Sequence, residues 1–136
     1  MIVTSRRVVA VVGVAAVVAA VAAGLVLVGS PADERKRGLD TTRVGDLIDL
    51  SAALDEMWAS GELPASLDSM AGALHRNVNV RDPLTVAPYS YRVLGGPEYE
   101  LCAVFDRDDR SEQTAVFWAH GAGRTCYRLE ARPRRR

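Results

Sequence analysis

Residues 8–28, VVAVVGVAAVVAAVAAGLVLV, carry no polar side chain, and this run constrains the chain more than any other feature. As a helix rising about 1.5 Å per residue it spans roughly 31 Å, the thickness of a bilayer core. Buried in water-soluble protein, a helix that is apolar on every face would need protein on all sides. The expected form is therefore a single transmembrane helix over 8–28. A cleaved signal peptide is the competing reading. Its apolar region normally covers about 7–15 residues, shorter than this one, although Ser30-Pro31-Ala32 resembles a cleavage site.

Charge alone leaves the orientation close to a tie. Arg6 and Arg7 precede the run, while Arg35, Lys36 and Arg37 follow it. Basic residues favour the cytoplasmic side. Residues 1–7 are read as a cytoplasmic N-terminus because the two cysteines, considered below, favour an oxidising location for the rest. All 17 acidic residues lie after residue 30, with 15 of the 17 basic ones. That balance gives no clustered basic face of the kind nucleic acid demands.

The segment 29–39, GSPADERKRGL, reads as a polar linker, since Pro31 and Gly38 both oppose a continuous helix. From Asp40, taken as an N-cap, Val44, Leu47, Ile48, Ser51, Leu54 and Trp58 share one helical face, widened by Leu50 and Met57. Gly61 and Pro64 end the helix. Asp55 falls within the apolar stripe and is expected at the core's edge, paired with an arginine or a tyrosine hydroxyl. A second short helical pattern runs from Ser66 to Leu74.

After residue 88 the period becomes two. The DPLTVAP stretch (82–88) should hold the approach extended through Pro83 and Pro88, delivering Tyr89, Tyr91 and Val93 to an inner sheet face. Keeping Tyr99, Leu101 and Ala103 on that face fixes register, because a slip of one residue inverts every side chain. The predicted hairpin has a three-residue loop, Gly95-Gly96-Pro97, pairing Leu94 with Glu98, Tyr91 with Leu101 and Arg92 with Glu100. A strand over 124–130 aligns antiparallel with Cys102 opposite Cys126, Leu101 beside Tyr127 and Tyr99 beside Leu129. Glu100 then lies between Arg92 and Arg128. Residues 114–120 are a candidate fourth strand beyond 124–130. Tyr89, Tyr91, Tyr99 and Tyr127 are the expected core aromatics.

Cys102 and Cys126, brought opposite one another, are read as a disulfide, which implies a compartment outside the cytoplasm. Two buried thiols or a metal or redox pair are the alternatives. With two cysteines and no CxxC spacing, no metal site is expected. His75 and His120 stand alone, and no catalytic, phosphate-loop or cofactor motif appears, so no catalytic residue and no cofactor are assigned. In DRDDRSE (106–112), Asp106, Asp108 and Glu112 could offer hard oxygen ligands, but Arg110 and the lack of a following glycine oppose a calcium loop.

The order of parts resembles the major pseudopilin of type II secretion systems. The residues that carry it are Leu63-Pro64, Asp82-Pro83 and Pro88-Tyr89-Ser90-Tyr91, within residues 40–105. The resemblance implies a sheet packed on a helical spine and assembly into a periplasmic pseudopilus. It extends to the fold only, because the family's prepilin leader and the Glu inside its apolar helix have no counterpart here.

The expected architecture is thus α+β: a transmembrane helix (8–28), a linker (29–39), a long amphipathic helix on an antiparallel sheet of three to four strands (40–130), and a basic disordered tail (131–136). The expected role is a single-pass, membrane-anchored domain outside the cytoplasm. It would bind another envelope protein rather than catalyse, with no nucleic acid or small-molecule substrate, and Arg92, Glu100 and Arg128 form its charge ladder or interaction surface. A pseudopilin-like structural subunit is the alternative.

Overall fold

A computed structural model describes residues 2–28, 30–73, 77–110 and 117–132. The chain divides into two compact units, Met1–Arg35 and Lys36–Arg136, taken in turn. In the first, helix α1 spans Ile2–Val28, so the helix reaches back into the stretch expected as a separate N-terminus. Its described valines are exposed, Val11 and Val17 among them. The mean hydropathy of its apolar window is 2.8, and among the described residues it alone is long and apolar enough to cross a membrane.

Helix α2 spans Pro31–Ala59, which corrects the linker over 29–39 and the N-cap at Asp40. The cap is Ser30, whose Oγ accepts the Asp33 amide at 3.1 Å and donates to the Asp33 carboxylate at 2.9 Å. Pro31 therefore occupies the first helical position, where its missing N–H is no loss. Asp33 and Glu34 in the first turn complement the helix dipole. Gly38 costs a helix interior about 1 kcal/mol, an amount that one good cap offsets.

Leu47, Leu50, Ala53 and Leu54 are buried on α2, with Val44, Met57 and Trp58 packed at their margins. Ile48, expected on the inner stripe, is 43 % exposed. The buried face is rotated away from it because Asp40 and Arg43 also point inward. The helix ends as Ser60 and Gly61 donate to the carbonyls of Met57 and Trp58, with Gly61 at φ 133°. Leu63 and Pro64 turn the chain inward, and helix α3 covers Leu67–Ala73. Ser66, the expected start of the second helical pattern, caps α3, its Oγ accepting the Ser69 amide at 3.1 Å. Leu74 and His75 lie outside the described residues.

The sheet has three antiparallel strands in sequence order: β1 Ser90–Gly95, β2 Glu98–Phe105 and β3 Gly123–Glu130. The register matches the expected one: Tyr91 opposite Leu101, Arg92 opposite Glu100, Leu101 opposite Tyr127 and Cys102 opposite Cys126. The hairpin differs. Gly95 pairs with Glu98 across a bulge between Val93 and Gly95, leaving a two-residue turn, Gly96-Pro97. Gly95 and Gly96 both take positive φ, at 141° and 55°, and the extra residue is absorbed as a bulge rather than a longer loop. Of the candidate fourth strand, 117–120 form a turn and coil; 114–116 lie outside the described residues. The tail is also corrected at its start. Ala131 is buried and its amide donates to the Pro97 carbonyl at 2.8 Å. Of the rest of the tail, Arg132 is exposed and 133–136 are not described.

One core joins α2, α3 and the sheet. Tyr89, Tyr99, Leu101, Phe105 and Tyr127 meet Leu47, Leu50, Leu54, Leu67 and Met70. Tyr91 is half-buried and leans on Tyr99 with ring centroids 6.1 Å apart, while Val93 is 41 % exposed and misses the core.

Candidate functional site

Cys102 and Cys126 form a disulfide between directly opposed residues of β2 and β3, with Cα atoms 4.0 Å apart. It lies on the sheet face opposite the core, with Cys102 buried and Cys126 exposed. Around it alternate the outward side chains of the three strands. Arg92 Nη2 donates to Glu100 Oε1 at 3.0 Å across β1–β2. Arg128 is in register with Glu100, yet no ion pair joins these two described residues, so the expected three-member ladder is half-made. Arg124 instead reaches toward β2, its Nη2 3.5 Å from Cys102 Sγ. Glu98 and Glu130 pair at the far end, so charge runs from acidic there to basic at Arg124. Glu100 and the two sulfurs lie within 4.8 Å of one another. Both sulfurs are consumed by the disulfide, so the group is not a thiolate metal site.

The second feature is a buried ion cluster that the sequence reading missed. Arg43, with its side chain 4 % exposed, donates Nη1 to Asp40 at 2.8 Å and to Asp106 at 2.6 Å, and Nε to Asp82 at 2.5 Å. Asp40 also accepts the amides of Asp106 and Arg107, both at 2.9 Å, which ties the end of β2 to α2. Burial disfavours the charge on Asp82, but hydrogen bonds from Arg43 and from the Thr85 and Leu84 amides outweigh it and bring its pKa down to about 2. Burial likewise opposes the charge on Arg43, and its bonds to Asp82, Asp106 and Asp40 overcome this and raise its pKa. The only sequence signal was an arginine alone among seven acidic residues between 40 and 70, which reads equally as a solvated face.

Asp82 shapes the loop that follows it. Its Oδ1 accepts the amides of Leu84 and Thr85 at 2.9 and 2.8 Å, and its backbone exchanges hydrogen bonds with Val86 and Ala87. The approach expected to be extended is thus a tight turn. Val86 sits at φ 60°, a conformation that crowds a β-branched side chain. Leu84 and Val86 are 60 % and 64 % exposed at its tip. Tyr89 then enters the core, its hydroxyl donating to Asp46 at 2.6 Å. Burial and that carboxylate together raise its pKa. Burial alone pushes Tyr91 up to about 12, and its hydroxyl has no hydrogen-bond partner among the described residues.

The remaining candidates are structural. Asp55 accepts the backbone amide of Arg132 at 2.9 Å, not an arginine side chain or a tyrosine. His120 is buried, stacked on Phe105 at 3.7 Å, with Nδ1 3.1 Å from the Arg107 carbonyl and Nε2 3.4 Å from Asp109. Tyr127 donates its hydroxyl to the Trp118 carbonyl at 2.9 Å. Of the acidic loop, Asp106 is held by Arg43 and Asp108 by Arg110, whose hydrogen bonds lower the Asp108 pKa to about 2. Glu112 is not among the described residues.

No family model, curated protein or solved structure matches this chain.

Proposed function

We propose that this protein is a single-pass membrane protein whose C-terminal domain lies outside the cytoplasm and acts by binding another envelope protein. The observation that carries the reading is the pairing of an apolar, exposed α1 with a disulfide across adjacent strands. An apolar helix of this length is at home in a bilayer, and a structural disulfide belongs to an oxidising compartment. The domain suits display rather than chemistry. Its buried Arg43, Asp40 and Asp82 are spent on one another, and its outward polar groups, Arg92, Glu100, Arg124 and Arg128, lie on the sheet face that carries the disulfide.

Membrane extraction tests the anchor: the chain should stay in the pellet at pH 11 and dissolve in detergent. Release at pH 11 would contradict it.

A second reading, as a pseudopilin-like structural subunit, gains support from one feature. Helix α2 begins at Pro31 and passes through Gly38, so the expected interruption at that glycine is absent. Recovery of the chain in sheared surface filaments is the result this reading expects.

A further inference from the structure

The three strands of the sheet are not matched in length. The β1–β2 ladder starts at Ser90 opposite Cys102, whereas β2 continues to Phe105 and remains paired with β3 as far as Gly123. Beyond Ser90 the chain leaves the sheet, and Tyr89 donates its amide to Val80 instead. Among the described residues, 103–105 of β2 thus have a strand on one side only. On the vacated side stands the Asp82 loop, and between loop and strand runs an open groove of about 260 Å³.

The walls of this groove have a definite chemistry. Leu84 comes from the loop and Val104, 60 % exposed, from β2. Arg124 reaches in from β3; its one side-chain contact among the described residues is to Cys102 Sγ, whereas the groove's two carboxylates, Asp82 and Asp106, are already held by Arg43. The loop is held rigidly by Asp82 and Arg43, with a valine in a left-handed conformation, and local backbone strain is kept where surrounding structure over-determines it. A vacant strand position flanked by fixed aliphatic side chains is the arrangement used in strand addition: main-chain hydrogen bonds provide affinity, and alternate side chains provide specificity. The unneutralised guanidinium selects the charge of what enters.

We propose that this groove binds an extended segment of a partner protein that continues the line of β1 along β2, placing an aliphatic residue against Leu84 and Val104 and an Asp or Glu against Arg124. The inference rests on the reading of the domain as a protein-binding module and names the class of partner.

In vivo photocrosslinking of the full chain tests it, with a benzophenone amino acid placed singly at Leu84, Val104 or, as a distant control, Asp49. Leu84 and Val104 should crosslink to the same segment of one protein, containing aliphatic residues and an Asp or Glu. Of amides 103–105, those directed away from β3 should gain hydrogen-exchange protection in the purified complex. Arg124→Glu should reduce the Val104 crosslink about tenfold, the scale of one lost charge contact, while Arg124→Lys retains most of it. Intact disulfide in each variant, read from unreduced peptides, confirms folding. Crosslinks from Asp49 alone would overturn the groove proposal and leave the protein-binding reading standing. Crosslinks to lipid, to a second copy of this chain or to a segment without an acidic residue would overturn it too. No crosslink to protein at any position would overturn both.

Discussion

Replacing Arg43 with methionine should be the most damaging single change in the domain. The substitution keeps an unbranched stem of similar length but removes a guanidinium that faces three carboxylates. Asp40 and Asp82 are left with side chains only 5 % and 10 % exposed and no other ion-pair partner among the described residues; Asp106, at 35 %, can turn to water. Removing one partner of a buried ion pair costs about 3–5 kcal/mol. The amides that remain on Asp40 and Asp82 argue for the middle of that range, about 4 kcal/mol, against a total of roughly 5–15 kcal/mol for a domain of this size. Urea unfolding of the full chain in detergent micelles, followed by the fluorescence of Trp58 and Trp118, would read this as a midpoint lower by on the order of 2–3 M. Acid should act through the same cluster. Asp82 is held at about 2 against an ordinary 3.8, so its contribution, on the order of 2 kcal/mol, is complete above pH 4 and fades as pH falls toward 2. Arg43→Met should flatten that acid dependence. A loss below about 1 kcal/mol, the worth of an exposed ion pair, would refute the claim that this cluster holds the loop and the end of β2 to α2.

Three further outcomes follow from the geometry. Peptide mapping without reduction should find Cys102 joined to Cys126, and a Cys102→Ala, Cys126→Ala double variant should lose roughly 3.5 kcal/mol by the loop-entropy relation; unchanged stability would show that the bridge constrains little. Val86→Gly should raise stability by about 1 kcal/mol, since a left-handed valine costs more than the extra freedom glycine gives the unfolded chain. A loss there would mean the strain is illusory. Val18→Arg places a charge near the centre of α1, which costs insertion about 3 kcal/mol, and should move protein from the membrane pellet to the soluble or degraded fraction. An unchanged pellet would count against α1 as a spanning segment.

The sheet was legible because several independent constraints agree on one register. Apolar alternation places Tyr99, Leu101 and Tyr127 on one face, and the same alignment sets Cys102 opposite Cys126 and Arg92 opposite Glu100. A sheet's period of two amplifies any error into inversion, so agreement is informative. The start of α2 was not legible, because Pro31 and Gly38 are breakers by propensity, whereas proline at the first helical turn is favoured and one glycine is tolerated. The inward rotation of the helix followed from the same gap. Arg43 and Asp40 are charged, and charged residues on a helix are ordinarily solvated; only Asp82 and Asp106, 39 and 63 positions from Arg43, make their burial possible. The bulge at Leu94 and the tight turn after Asp82 depend on backbone geometry that alternating hydrophobicity does not encode.

The proposed placement of the domain outside the cytoplasm can be read from a single side chain. Lys36 is the only lysine in the chain, and it is exposed just beyond the apolar helix. Treating intact cells with a membrane-impermeant amine reagent and mapping the labelled peptides therefore reports the side of the membrane directly. Lys36 should be modified in intact cells to the level reached after lysis. Modification only after lysis would place the domain in the cytoplasm and rule out an external location.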